Sequence, residues 1–123
     1  MEKQKILIVE DDRTLVDILK EAFEPDYQTV IAGDSSSAMA KIKRDAPDLI
    51  LLDILLPGKS GFEFLAEIKN DNEIKNIPVI ILSNLGQDTE IKKGMSLGAI
   101  DYLVKSDFTI DEVIKKAKKA ITK

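Results

Sequence analysis

At 123 residues with a net charge of −4, 44% hydrophobic and 33% charged, the chain has the composition of a globular domain with one core and no room for a second ordinary domain. Zero cysteines exclude disulfides and thiolate chemistry, and zero histidines exclude imidazole-based triads, His-ligated zinc and phosphohistidine. The negative balance argues against direct nucleic-acid binding and points to protein partners. Without an apolar run near the roughly 20 residues a membrane span needs, or an apolar leader after Met1, no membrane association and a cytoplasmic location are expected.

In chain order, short apolar runs alternate with amphipathic stretches. Ile6 to Val9 precedes a helical pattern over Thr14 to Phe23, and Thr29 to Ala32 precedes Ser36 to Lys43. Leu49 to Leu52 then leads to Gly61 to Lys69, Val79 to Leu82 to Thr89 to Leu97, and Tyr102 to Val104 to Ile110 to Ile121. These are five strand-then-helix units with no linker between them. The first, third and fourth strands are apolar at every position, as parallel strands covered by helices on both faces must be, so an α/β sandwich is expected. Ser60 with Glu63, and Thr109 with Glu112, have the spacing of reciprocal helix-start caps, while Gly86 and Gly98 close the fourth strand's loop and the fourth helix.

Ligands of open parallel sheets bind beyond the carboxyl ends of the strands, and here those ends carry charge. Glu10, Asp11 and Asp12 follow the first strand and Asp53 follows the third, so a sheet with these strands adjacent gathers several carboxylates. Asp12 also suits a plain helix cap. Asp53 does not, because the next helix starts only near Gly61 and the intervening Ile54, Leu55, Leu56 and Pro57 are too apolar for a solvated turn. Two carboxylates about 4 Å apart repel by roughly 4 kcal/mol at an effective dielectric of 20, so the cluster must take up a proton or bind a cation. An all-oxygen site suits Mg²⁺ and a substrate phosphate. Ser83 and Lys105, at the ends of the fourth and fifth strands, supply a hydroxyl and an ammonium from the other side.

The segments KILIVEDD from Lys5, PDLILLDILLPGKSGFEFL from Pro47, VIILSN from Val79 and GAIDYLVK from Gly98, in this order and spacing, resemble the response-regulator receiver domain over essentially the whole chain. That resemblance implies a single receiver domain over residues 1–123, flavodoxin-like, with a five-stranded parallel sheet of order 2-1-3-4-5. It implies that Asp53 accepts a phosphoryl group, that Glu10, Asp11, Asp53 and the Leu55 backbone carbonyl hold Mg²⁺, and that Lys105 pairs with the phosphoryl group. Ser83 would move to bond it and Tyr102 would rotate inward in response, although Tyr102 also suits plain edge-strand packing. The donor implied is a histidine kinase or phosphotransfer protein and the output a downstream protein, with no enzymatic activity beyond the domain's own phosphorylation and dephosphorylation.

Two positions depart from the family pattern: Ser106 stands where proline commonly follows the lysine, and Ile100 where an acidic residue commonly precedes Asp101. The first predicts a trans peptide after Lys105, since a non-proline cis bond costs about 2.5 to 4 kcal/mol. The second weakens the dimer of the family's transcription-factor branch, leaving a monomer or a weak dimer through the fourth helix, fifth strand and fifth helix. Lys115, Lys116, Lys118 and Lys119 read as a solvated helix face. Gly58, Lys59 and Ser60 resemble the end of a phosphate-binding loop, but Asp53 occupies the place of its first glycine. Gly94 to Gly98 spells a hydrolase elbow, without a strand before it or a histidine to activate Ser96. The remaining alternative is a pseudo-receiver, an interaction module of the same fold that works without phosphorylation.

Overall fold

The computed structural model describes residues 3–122. The five expected units are present: β1 (Lys5–Val9), α1 (Arg13–Phe23), β2 (Gln28–Ala32), α2 (Ser35–Asp45), β3 (Leu49–Leu52), α3 (Gly61–Asn70), β4 (Val79–Ser83), α4 (Asp88–Ser96), β5 (Asp101–Val104) and α5 (Ile110–Ile121). The strands form one parallel sheet in the order β2-β1-β3-β4-β5. Successive strand residues face opposite sides, which divides the apolar runs between two cores. Leu7, Val9, Ile50, Leu52, Val79 and Ile81 meet Ile42 of α2 and Phe64, Leu65 and Ile68 of α3. Ile6, Ile8, Leu49, Leu51, Ile80 and Leu82 meet Val16, Leu19 and Phe23 of α1 and Val113 and Ala117 of α5. Burial on both faces is the reason these strands are apolar throughout.

Helix starts follow the capping residues, with one correction. Thr109 and Glu112 form the reciprocal pair, the Thr109 hydroxyl accepting from the Glu112 amide at 3.1 Å and the Glu112 carboxylate accepting from the Thr109 amide at 2.8 Å. Ser60 caps α3 alone: its hydroxyl accepts from Phe62 N–H at 3.2 Å. At α4, Glu90 accepts from the Gln87 amide at 3.0 Å, a cap that carries no serine or threonine signal. Gly98, at φ +110°, takes the turn after α4.

Lys105–Asp107 form a single 3-10 turn between β5 and α5 that the apolar pattern does not show. No peptide bond is cis among the described residues, so Lys105–Ser106 is trans as its missing proline requires. No helix among them is long and apolar enough to cross a membrane.

Candidate functional site

Strand register builds the site. Val9 of β1 lies opposite Leu52 of β3, so the next residues, Glu10 and Asp53, leave the sheet side by side, and the Asp53 amide donates to the Val9 carbonyl at 3.0 Å. Both side chains are buried, each residue 4% exposed. Lys105, entering from the end of β5, places its Nζ 2.8 Å from Glu10 Oε1 and 2.9 Å from Asp53 Oδ2. The second oxygen of each carboxylate accepts from a backbone amide, Glu10 from Asp12 at 3.1 Å and Asp53 from Leu55 at 3.0 Å. A buried carboxylate left without such partners would cost several kcal/mol.

Asp11 is exposed, yet one of its oxygens lies within 4.8 Å of oxygens of both Glu10 and Asp53. Asp12 does other work. Its carboxylate accepts from Thr14 and Leu15 amides at 3.0 and 3.2 Å, capping α1. Among the four acidic candidates, three therefore converge and one is committed to the helix.

Burial pushes the Glu10 carboxyl above the usual carboxylate range, and the Asp53 charge adds to that push; the Lys105 and Asp12 hydrogen bonds oppose it. For Lys105 burial works against the ammonium, but hydrogen bonds and charges from Glu10 and Asp53 outweigh it and its pKa is raised. With three carboxylates facing one ammonium, the site has an all-oxygen donor set and an excess of negative charge, a composition that fits a hard divalent cation. The Leu55 amide ties the following loop to this set through its bond to Asp53.

Ser83 ends β4 fully buried, its hydroxyl accepting from Leu85 N–H at 3.4 Å. Tyr102 is buried, 7% exposed, with its hydroxyl donating to the Leu85 carbonyl at 2.6 Å. Its phenol is pushed upward, first by burial and then by the charges of Glu90 and Asp53. Leu55 is 52% exposed beside Asp53, and Leu85 packs at the edge of the core. Two features escape sequence reasoning. The Lys105 bridge to Glu10 as well as Asp53 needs the register of three strands, and the Leu85 carbonyl as partner of Tyr102 carries no residue signature.

The model of the response regulator receiver domain matches residues 6–118. The phosphate regulon transcriptional regulatory protein PhoB of Escherichia coli (strain K12) is 34% identical over 116 residues, covering 94% of this chain and 50% of that protein. The chain thus spans about half the length of the curated relatives it matches. Among solved structures, the phosphorylated cyanobacterial phytochrome response regulator RcpA is similar at 34% identity and a TM-score of 0.82, over 95% of this chain and 90% of that one. The Mn²⁺-bound form of response regulator Rcp1 is similar at 31% identity and a TM-score of 0.79, over 97% and 90%. With this fold, this register of acidic residues at the strand ends and these likenesses, the chain belongs to the response regulator receiver domain family, the signal-receiving module of two-component systems.

Proposed function

We propose that this receiver domain is a phosphoacceptor switch: an Asp53 carboxylate oxygen attacks the phosphorus of a phosphorylated donor, the bond from phosphorus to the donor breaks, and an aspartyl phosphate forms. The observation that carries this reading is the Glu10–Lys105–Asp53 bridge, with Asp11 alongside, at the carboxyl edge of the sheet. Glu10, Asp11, Asp53 and the Leu55 carbonyl are the residues that would hold Mg²⁺. When bound, the cation supplies positive charge that offsets repulsion between the carboxylates and an incoming phosphoryl group. Lys105 is partly desolvated and aimed at Asp53, so it exchanges one Asp53 oxygen for a phosphoryl oxygen with little reorganisation. Ser83, one strand away, is the hydroxyl that would turn from its own loop to the phosphoryl group.

A histidine kinase or phosphotransfer protein is the donor in this reading, and an apolar groove lined by Leu15, Ile18, Phe108 and Ile110 beside Lys105 is where such a helix-bearing protein would approach. The unit acts in the cytoplasm as one receiver domain over residues 1–123. It accelerates only its own phosphorylation and dephosphorylation, and it passes the signal to a protein through α4, β5 and α5. Exposed Met95 and Ile100 on that face supply apolar contact for such a partner or for a weak dimer.

The test is incubation with a small acyl phosphate and Mg²⁺, followed by mass spectrometry. One added phosphoryl group is expected, absent in Asp53→Asn and in excess chelator. No addition in the parent chain would sink the reading and leave the pseudo-receiver, and full labelling of Asp53→Asn would show that the phosphoryl group goes to another residue.

A further inference from the structure

Tyr102 sits inward with its hydroxyl on the Leu85 carbonyl, and the Leu85 amide donates to Ser83 in the same loop. Tyr102 pairs with Ile81 across β5 and β4, so both side chains rise on the same face, where α4 covers them. The residue of α4 that meets them is Gly94, the one buried position of that helix. A Cβ there would lie 2.6 Å from Ile81 Cδ1, 2.8 Å from Tyr102 Cδ2 and 3.1 Å from Tyr102 Cε2.

The helix cannot easily yield. Its end is tied back through the Ala99 amide to the Gly94 carbonyl at 3.2 Å, and the Ile100 amide bonds the Val79 carbonyl at 2.9 Å. The Ile81 methyl can rotate aside. A planar phenol ring can leave only by turning about χ1, which carries it out of the sheet face. The β4–α4 loop closes the other side: Gly86 lies so near Val104 that a Cβ would be 3.0 Å from its Cγ1, and the Leu85 carbonyl beside it receives the phenol.

We infer that Gly94 is a positioning residue, whose missing side chain makes room for Tyr102 on the inner face and so sets that residue inward before any phosphoryl group arrives. The significance for signalling rests on the phosphoacceptor reading, since Tyr102 borders the α4–β5–α5 face. The placement itself does not, and it is measured with no donor present.

The chain has two tyrosines and no tryptophan, so a Tyr27→Phe background leaves Tyr102 as the sole emitter. Acrylamide quenching of that protein, unphosphorylated, is expected to be several-fold weaker than that of free N-acetyltyrosinamide, and little changed by acyl phosphate with Mg²⁺. Gly94→Ala should raise quenching several-fold while far-UV circular dichroism is retained. Thermal melts give a second reading that survives poor folding of that variant: Gly94→Ala should lower Tm much less in a Tyr102→Leu background than in the parent. Freely quenched Tyr102 in the unphosphorylated parent, unchanged quenching in Gly94→Ala, or an equal Tm loss in both backgrounds would each overturn the inference. A chain that never takes up a phosphoryl group would refute the phosphoacceptor reading and leave these three outcomes readable.

Discussion

At the scale of single residues, Lys105 has the heaviest electrostatic duty. Its ammonium is shared between two buried carboxylates, so Lys105→Met leaves Glu10 and Asp53 facing each other uncompensated. Removing one partner of a buried ion pair costs about 3 to 5 kcal/mol, and a bound cation replaces part of the missing charge. Urea unfolding should therefore show a large loss for Lys105→Met that millimolar Mg²⁺ partly restores, with a smaller Mg²⁺ effect on the parent. A loss that Mg²⁺ leaves untouched would contradict cation binding by these carboxylates. The two leucines beside the site make a second prediction. Leu55 and Leu85 each stand two residues beyond Asp53 and Ser83, and their amides donate to the Asp53 carboxylate and the Ser83 hydroxyl, yet neither side chain can orient an attacking water. If positioning that water is worth about 1.4 kcal/mol, its absence lengthens the aspartyl phosphate's lifetime about tenfold. Decay after donor removal should be slower in the parent than in Leu55→Asn or Leu85→Gln; equal rates would remove the leucines from the account of hydrolysis.

At the scale of elements, helix ends are fixed by side chains that satisfy free amides, and their contributions separate cleanly from the site. Thr109 caps α5 with both halves of the reciprocal pair formed. Thr109→Ala should cost about 1 kcal/mol of folding stability, read as a lower urea midpoint at unchanged slope, while phosphorylation of Asp53 proceeds at the parent's rate. Asp12 gives the sharper contrast within the acidic run, because it caps α1 whereas its neighbours face Asp53. Register explains the difference: the chain turns into α1 directly after Asp11, and the cap is the last non-helical position.

Taken whole, the domain ties stability to pH through a phenol as well as through its acidic edge. Tyr102 has its pKa raised above 10.0 by burial and by the charges of Glu90 and Asp53. As pH climbs, the unfolded chain loses that proton first, so the contribution of Tyr102 is complete below about pH 10 and disappears as pH rises through the folded-state value. The alkaline fall in stability should thus be shallower in Tyr102→Phe than in the parent. At neutral pH the same variant should lose about 1 kcal/mol for the hydrogen bond to the Leu85 carbonyl. Parallel curves for the two proteins above pH 10 would place the phenol in solvent.

Residue order by itself determined what depends on near neighbours. The all-apolar runs of β1, β3 and β4 specify strands buried on two faces, Thr109 with Glu112 specifies where α5 starts, and Asp53 before an apolar loop marks an acid with no local partner. The segment resemblance added the strand order, which periodicity alone leaves open. Tertiary structure decided the rest: that Lys105 bridges Glu10 and Asp53 together, and that Tyr102 lies inward against Gly94. Each of these depends on distances between elements far apart in the chain. Those distances are set by register and by which backbones can touch, and no short window of sequence contains them.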